Sequence, residues 1–351
     1  MRAVRARQPA NPRIRNALLE FPVWAMNYTI SVAIATYNGE AFVEKQIDSI
    51  LRQTRLPDEL VISDDCSTDR TIDLIKSAAT GSPFPIRIFR NTRNVGMTRN
   101  FENAITRATG DIILPSDWDD YWMPERIATT ASVFAESRDV VLVYCDAALT
   151  DSALRPVGTT LFGLRPQLRV VPELKGAKAL AGAALVQGMT IAFHRKLKPF
   201  VLPFSAQCAW DRWLCMIAPA VGDVKPIDRP LVYYRRHGNN WAPLESEGDA
   251  QGRWIRAADR EVYAYRAARW DAVHRRLKEI KASEAPWSAT TRLDEFLDAS
   301  ERCLRFARRR QNLKGRPRIA RVGSALSSLV VGDYHRYAEG VRSCVLDVAA
   351  R

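Results

Sequence analysis

The chain has 351 residues, 47% of them apolar, and a net charge of +13. That is enough for one large domain, or a catalytic domain with an extension, and it excludes a mostly disordered chain. The charge is segregated: residues 1–28 carry +4, residues 29–250 carry −1 and residues 251–351 carry +10, so basicity belongs to the two ends and not to the middle.

In chain order, Ile30–Thr36 is a short β-branched run that predicts a buried strand, closed by a turn at Tyr37-Asn38-Gly39. Glu40–Gln53 has helical spacing, and Pro57-Asp58 breaks it. Glu59–Ser63 predicts a second strand, ending in the polar run Asp64–Asp69; a helix follows over Arg70–Ala79. Ile86–Arg90 predicts a third strand, Asn94-Val95-Gly96 a loop, and Met97–Ala108 a helix. Asp111–Leu114 predicts a fourth strand, ending at Pro115–Asp120. Further strands are expected at Val140–Tyr144 and Gly188–Phe193, a loop-rich stretch at 151–180, and a helix at Ala209–Ile217. Pro230–Arg235 leads into Arg236-His237-Gly238-Asn239-Asn240, and beyond about 250 the pattern is helical and Arg-rich. Strand–helix alternation with short connections predicts an α/β fold, a mostly parallel sheet with helices on both faces. The polar clusters at 36–39, 64–69 and 116–120 all follow strands, so they should converge on one crevice.

Three carboxylates at Asp117, Asp119 and Asp120 repel one another unless something neutralises them. A hard divalent cation does this, and it can hold a departing diphosphate; the alternative is a solvated acidic loop or helix N-terminus. The segments ISVAIATYNGEAFVEKQIDSILRQT (30–54), LVISDDCSTDRT (60–71), RNVGMTRNFENAI (93–105) and GDIILPSDWDDYWMPERI (110–127) occur in that order. Together they resemble family 2 glycosyltransferases of GT-A fold, over roughly residues 29–245. The nearest likeness is to the bacterial rhamnosyl-, galactosyl- and glucosyltransferases of surface polysaccharide assembly.

The resemblance implies an inverting transfer from a UDP- or dTDP-sugar to a hydroxyl of a glycan or lipid-linked glycan, with Mn²⁺ or Mg²⁺. It places Thr36, Tyr37, Asn38 and Glu40 along the nucleotide base and Asp65 on the base imide, with Asp64 supporting the loop. Asn94, Gly96 and Asn100 would approach the nucleotide, where Arg93 or Arg99 is either a phosphate partner or a solvated cation. Cys66 stands where many relatives have Gly, so the turn is expected to differ there. Asp119 would be the direct metal ligand and Asp117 the partner of the ribose or metal. Gly188, Met189 and Thr190 would lie under the donor sugar. Asp211 would be the general base, its proton affinity raised between Trp210 and Trp213, or else a helix cap. His237 would contact the metal or the diphosphate.

Residues 1–28 are thus a basic N-terminal segment, 29–250 the transferase domain and 251–351 a helical basic region. The last has Arg308-Arg309-Arg310 and an amphipathic stretch over Ser324–Val345, which would meet an anionic membrane, the catalytic domain or a second copy of the chain. A nucleic-acid-binding protein is the competing reading of the same charge, but no nucleic-acid motif is present and none is expected as a partner. A sugar nucleotidyltransferase would need a Gly-rich phosphate loop where the chain has ATYNGE. Six cysteines without a CxxC pair read as reduced thiols. With no apolar signal core and no apolar run long enough to span a bilayer, the expectation is a cytoplasmic protein, peripheral at the inner membrane face. Residues 1–27 play no visible part in the domain, so a chain starting at Met26 is expected to fold and work.

Overall fold

A computed structural model describes residues 28–173, 185–237, 260–283, 291–313 and 318–330. Residues 1–27, with Met26, lie outside the described residues, as do Gly238–Asn240 and the part of the amphipathic stretch beyond Val330.

The first half alternates as its apolar runs dictate: β1 (Ile30–Thr36), α1 (Val43–Leu51), β2 (Glu59–Asp64), α2 (Thr71–Ala79), β3 (Ile86–Arg90), α3 (Met97–Arg107) and β4 (Ile112–Ser116). The second half comprises β5 (Tyr121–Trp122), α4 (Arg126–Glu136), β6 (Val140–Thr150), β7 (Pro156–Thr160), α5 (Leu161–Leu164), β8 (Ile191–His194), α6 (Lys198–Val201), α7 (Trp210–Val221) and β9 (Asp223–Arg235). Three helices follow: α8 (Arg260–Ala282), α9 (Thr291–Leu313) and α10 (Arg318–Val330). The stretch 151–180 is more structured than its composition suggests, since it holds β7, α5 and a 3₁₀ segment, Pro166–Glu173. Gly188–Thr190 is a 3₁₀ turn and not strand, because Thr190 turns both its N–H and its hydroxyl back onto the Gln187 carbonyl.

The strands form one sheet in the order β3-β2-β1-β4-β8-β6-β9-β5, with β7 beside β6. The β3-β2-β1-β4 half is parallel throughout; β8 is antiparallel to both β4 and β6, while β6 and β9 pair in parallel along most of their length. β1, β2 and β4 are buried along their whole length, as a sheet covered on both faces requires.

At the N-terminal edge of the sheet, the Glu59 carboxylate accepts from the Ser31 hydroxyl at 2.6 Å and from the Thr109 N–H at 2.6 Å and hydroxyl at 2.8 Å, and it pairs with Arg87. One side chain thus ties β1, β2, β3 and the turn before β4. The C-terminal helices pack on this body: α8 and α9 pack on each other and both meet α7, burying Val273, Leu277 and Leu293. Among the described residues, no helix is long and apolar enough to cross a membrane.

Candidate functional site

Parallel pairing aligns the ends of three strands. Thr36 lies opposite Asp64, and Ile34 opposite Ser116, so the loops after β1, β2 and β4 emerge on one side of the sheet. The strand order turns back at β1 and β4, the place where open α/β sheets bind ligands.

The first two loops are laced together. The Asn38 N–H donates to Ser67 Oγ at 2.9 Å, and Asn38 Oδ1 accepts from the Thr68 N–H at 2.9 Å. Asn38 holds a positive φ of 46°, which its short polar side chain tolerates. Glu40 is exposed, and its carboxylate accepts from the Arg70 N–H at 3.1 Å, at the N-terminus of α2. Thr36 is buried, its hydroxyl donating to Asp64, while Tyr37 is 46% exposed. Asp64 supports the loop through the Ser67 N–H at 2.9 Å. Cys66 sits at φ 68°, so the turn is left-handed as it would be with glycine. The expectation of a different turn is corrected: the chain accepts the strain at a β-carbon rather than rerouting.

Asp65 is buried, and its carboxylate accepts from the Val95 N–H at 2.8 Å, the Gly96 N–H at 2.8 Å and Asn91 Nδ2 at 2.9 Å. Gly96, at φ 83°, and Asn94, which accepts from the Gly96 N–H at 3.1 Å, shape the same segment. Asn100 is buried and ties α3 to β1 by donating to the Thr36 carbonyl at 3.1 Å. These residues brace one another, and of the set Tyr37 is the large side chain turned to solvent. Arg99 pairs with Glu102 at 2.7 Å on the surface of α3.

The acidic loop lies opposite. Asp119 Oδ2 is 2.9 Å from His237 Nε2, which joins the loop after β4 to the end of β9. The His237 ring packs against Phe42 at 4.8 Å and Trp118 at 6.1 Å. Trp118 lies so close over Gly39 that a β-carbon there would come within 2.8 Å of its ring. Asp120 is buried: one oxygen accepts from the Arg235 N–H at 3.3 Å, and the other, Oδ2, has no hydrogen-bond partner. Burial, with the negative charge of Asp119 beside it, pushes the carboxyls of both Asp117 and Asp120 well above the usual range. Asp211 also raises Asp117, so the base candidate and the acidic loop share one field.

Asp211 lies in the first turn of α7, one residue past Trp210, and Ala209 takes the cap position. Its oxygens accept from the Gly188 N–H at 3.1 Å and the Arg212 N–H at 2.7 Å. Burial still pushes its carboxyl up, against the lowering effect of those bonds and of the Arg212 charge. Gly188 is required there, because a β-carbon would meet the Trp210 ring at 2.6 Å. Met189 and Thr190 are buried beneath.

One participant has no signal in the sequence. Arg126 is fully buried behind the acidic loop, its guanidinium 4.1 Å from the Trp122 ring centroid, and its charge favours ionised Asp120 and Asp117. An arginine in the first turn of a helix looks like surface until the sheet closes over it. Arg235, also buried, lies 4.4 Å from the Phe42 ring.

Among the described residues, no group of three or more His, Cys, Asp or Glu side chains is arranged to hold a metal ion by itself. Asp119 with His237, beside the unpartnered oxygen of Asp120, fits a hard divalent cation whose remaining ligands come from substrate phosphates.

Comparison with known proteins agrees with this layout. Residues 31–191 match the family described as Glycosyl transferase family 2. A glycosyltransferase of Nostoc sp., itself described as uncharacterized, is 31% identical over 218 residues, covering 60% of this chain and 66% of that protein. The dTDP-rhamnosyl transferase RfbG of Shigella flexneri is 35% identical over 98 residues, 27% of this chain and 34% of its own. The chain therefore spans less than two thirds of either relative. In fold, the crystal structure of S. aureus TarS 1–349 aligns with a TM-score of 0.53 at 17% identity, covering 90% of each chain.

Proposed function

We propose, from the match of residues 31–191 to glycosyl transferase family 2, that the chain is an inverting glycosyltransferase. It moves a sugar from a UDP- or dTDP-linked donor to a hydroxyl of a glycan or lipid-linked glycan in surface polysaccharide assembly. The observation that carries this reading is the convergence of Asp117, Asp119, Asp120 and His237 with Asp211 around one crevice at the strand ends. In the reaction, Asp211 takes the proton of the acceptor hydroxyl as its oxygen attacks the anomeric carbon, and the bond to the diphosphate oxygen breaks with its electrons on the diphosphate. The exposed Tyr37 ring suits stacking on the pyrimidine. Asp65 uses the acceptor capacity left by the 91–96 segment for the base imide, while Thr36, Asn38, Glu40, Asn94, Gly96 and Asn100 hold the walls of the base site. Asp119 and His237, with Asp117 turned to the ribose or metal, would hold Mn²⁺ or Mg²⁺ together with the diphosphate. That ion, when bound, supplies positive charge to the leaving group.

Residues 29–250 form the transferase proper in this reading, and 251–351 a basic helical region at the cytoplasmic face of the membrane. The test is a screen of UDP- and dTDP-sugars for slow hydrolysis with Mn²⁺ or Mg²⁺, on the parent and on Asp119→Ala. A folded but inactive variant is expected. Full activity in excess chelator removes the metal from the proposal, and failure to bind or hydrolyse any nucleotide sugar overturns it.

A further inference from the structure

Phe42 stands at the N-cap of α1 and makes no side-chain cap there. That position favours Ser, Thr, Asp or Asn, whose side-chain oxygens accept from a helical N–H that otherwise lacks a partner. Nor does Phe42 serve the core. The buried face of α1 is Val43, Gln46, Ile47, Ser49 and Ile50. Among the described residues, Phe42 belongs neither to the apolar core nor to the side chains packed against it.

Its ring contacts give it another role. The His237 imidazole lies 4.8 Å from the Phe42 ring, tilted by 34°, and the Arg235 guanidinium stands 4.4 Å over the same ring. Trp118 stacks on Phe42 at 6.1 Å and 16°, and its ring also faces His237 at 6.1 Å. Phe42 thus meets two residues from the end of β9 and one from the acidic loop. The backbone beneath it is fixed. The N–H groups of Phe42 and Val43 both donate to the Gly39 carbonyl, at 3.1 Å and 3.0 Å, and the Gly39 N–H donates to the Thr71 hydroxyl at 2.7 Å. An imidazole serves a metal only when its ring is turned so that the right nitrogen points at the ion. Contact with Asp119 at 2.9 Å sets where Nε2 lies, and a flat neighbour sets the plane of the ring.

We propose that Phe42 is a positioning residue for His237, its ring holding the imidazole in the plane that serves the metal and diphosphate beside Asp119. This rests on the reading of Asp119 and His237 as the metal pair, and the test separates failure of the one from failure of the other.

The probe is Mn²⁺, added to the full chain with UDP and, separately, with dTDP, its unbound fraction read from the electron paramagnetic resonance signal. Phe42→Ser removes the ring and offers the missing cap. It should weaken Mn²⁺ binding by about tenfold or more, the usual effect of losing a side chain that orients a metal ligand. Phe42→Tyr keeps the ring and should bind as the parent does. His237→Ala should weaken binding too, and adding Phe42→Ser to it should cost nothing further, because a residue that acts through another has no effect in its absence. The thermal midpoint of each variant checks its folding. Phe42→Leu, which keeps apolar bulk without a flat ring, takes the place of Phe42→Ser if that variant is unfolded. Binding equal to that of the parent in Phe42→Ser would overturn the inference. So would equal loss from Phe42→Ser in both backgrounds, which would give Phe42 a role apart from His237. In either case a weak His237→Ala leaves the metal pair standing. If His237→Ala binds Mn²⁺ as tightly as the parent, or the parent binds none with either nucleotide, the metal pair falls and the inference with it.

Discussion

At Asp211 two influences oppose each other. Burial favours the neutral acid, while the N–H groups of Gly188 and Arg212 favour the carboxylate, and burial wins. A base must be ionised to act, so turnover should fall as pH drops through this raised value. The acid limb of the kcat profile should then lie above the ordinary aspartate value of about 3.9. Asp211→Asn should lower kcat by about 10²–10⁴ with nucleotide affinity nearly unchanged; a variant retaining half its turnover would assign Asp211 to the helix alone. Cys66 makes a different residue-scale prediction. A β-carbon at φ 68° costs about 1–3 kcal/mol, of which glycine recovers part against its greater freedom when unfolded. Cys66→Gly should therefore leave the thermal midpoint equal or higher, and Cys66→Val should lower it. The acidic residues were legible in the sequence because three carboxylates after an apolar run are conspicuous. Arg126 was not, because only the closed sheet shows that its first-turn position faces inward.

At the scale of elements, Glu59 is the junction of β1, β2, β3 and the turn into β4. Burial alone would raise its carboxyl, but the bonds from Ser31, Thr109 and Arg87 outweigh that and hold it below the usual value. The sign follows: the native state binds the Glu59 proton more weakly than the unfolded chain. Its stabilisation is thus full above the ordinary glutamate value and fades as pH falls through the lowered one. Glu59→Gln should flatten that acid-side loss in urea titrations at several pH values, and Glu59→Ala should cost about 1–3 kcal/mol by stranding the buried donors of Ser31 and Thr109, since Arg87 is open enough to solvent to be rehydrated. The strands around this junction were readable because each is a β-branched run cut by polar or proline residues. β5 was not, since two residues make no pattern, and its place is fixed only by pairing with Tyr233 and Val232 of β9. β6 outruns its apolar core Val140–Tyr144 because pairing with β9 extends it through polar Asp146 to Thr150.

For the whole molecule, α7 is the hinge between chemistry and extension. Its first turn carries Asp211, and its body packs against α8 and α9, with Arg276 5.9 Å from the Trp213 ring. The composition shift near residue 250 suggests a separable tail, yet the helices beyond it cover one side of the transferase body. A chain ending at residue 250 should be markedly less stable and prone to aggregate; full solubility and an unchanged melting curve would show the C-terminal helices to be dispensable. Trp270, an aromatic residue that a nucleic-acid surface would need exposed, is buried in this packing. The sequence showed the amphipathic helices but not which faces meet, because that depends on partners far along the chain.

The left-handed position at Cys66 also gives the protein an intrinsic reporter. Among the described cysteines, Cys145, Cys208, Cys215 and Cys303 are buried, and Cys66 alone reaches solvent, in the loop proposed to wall the base. In a Cys344→Ser background, an alkylating reagent should modify Cys66 first. Bound UDP or dTDP should slow that labelling, measured as peptide mass gain over time, so that occupancy of the crevice is read without a radioactive sugar or any turnover.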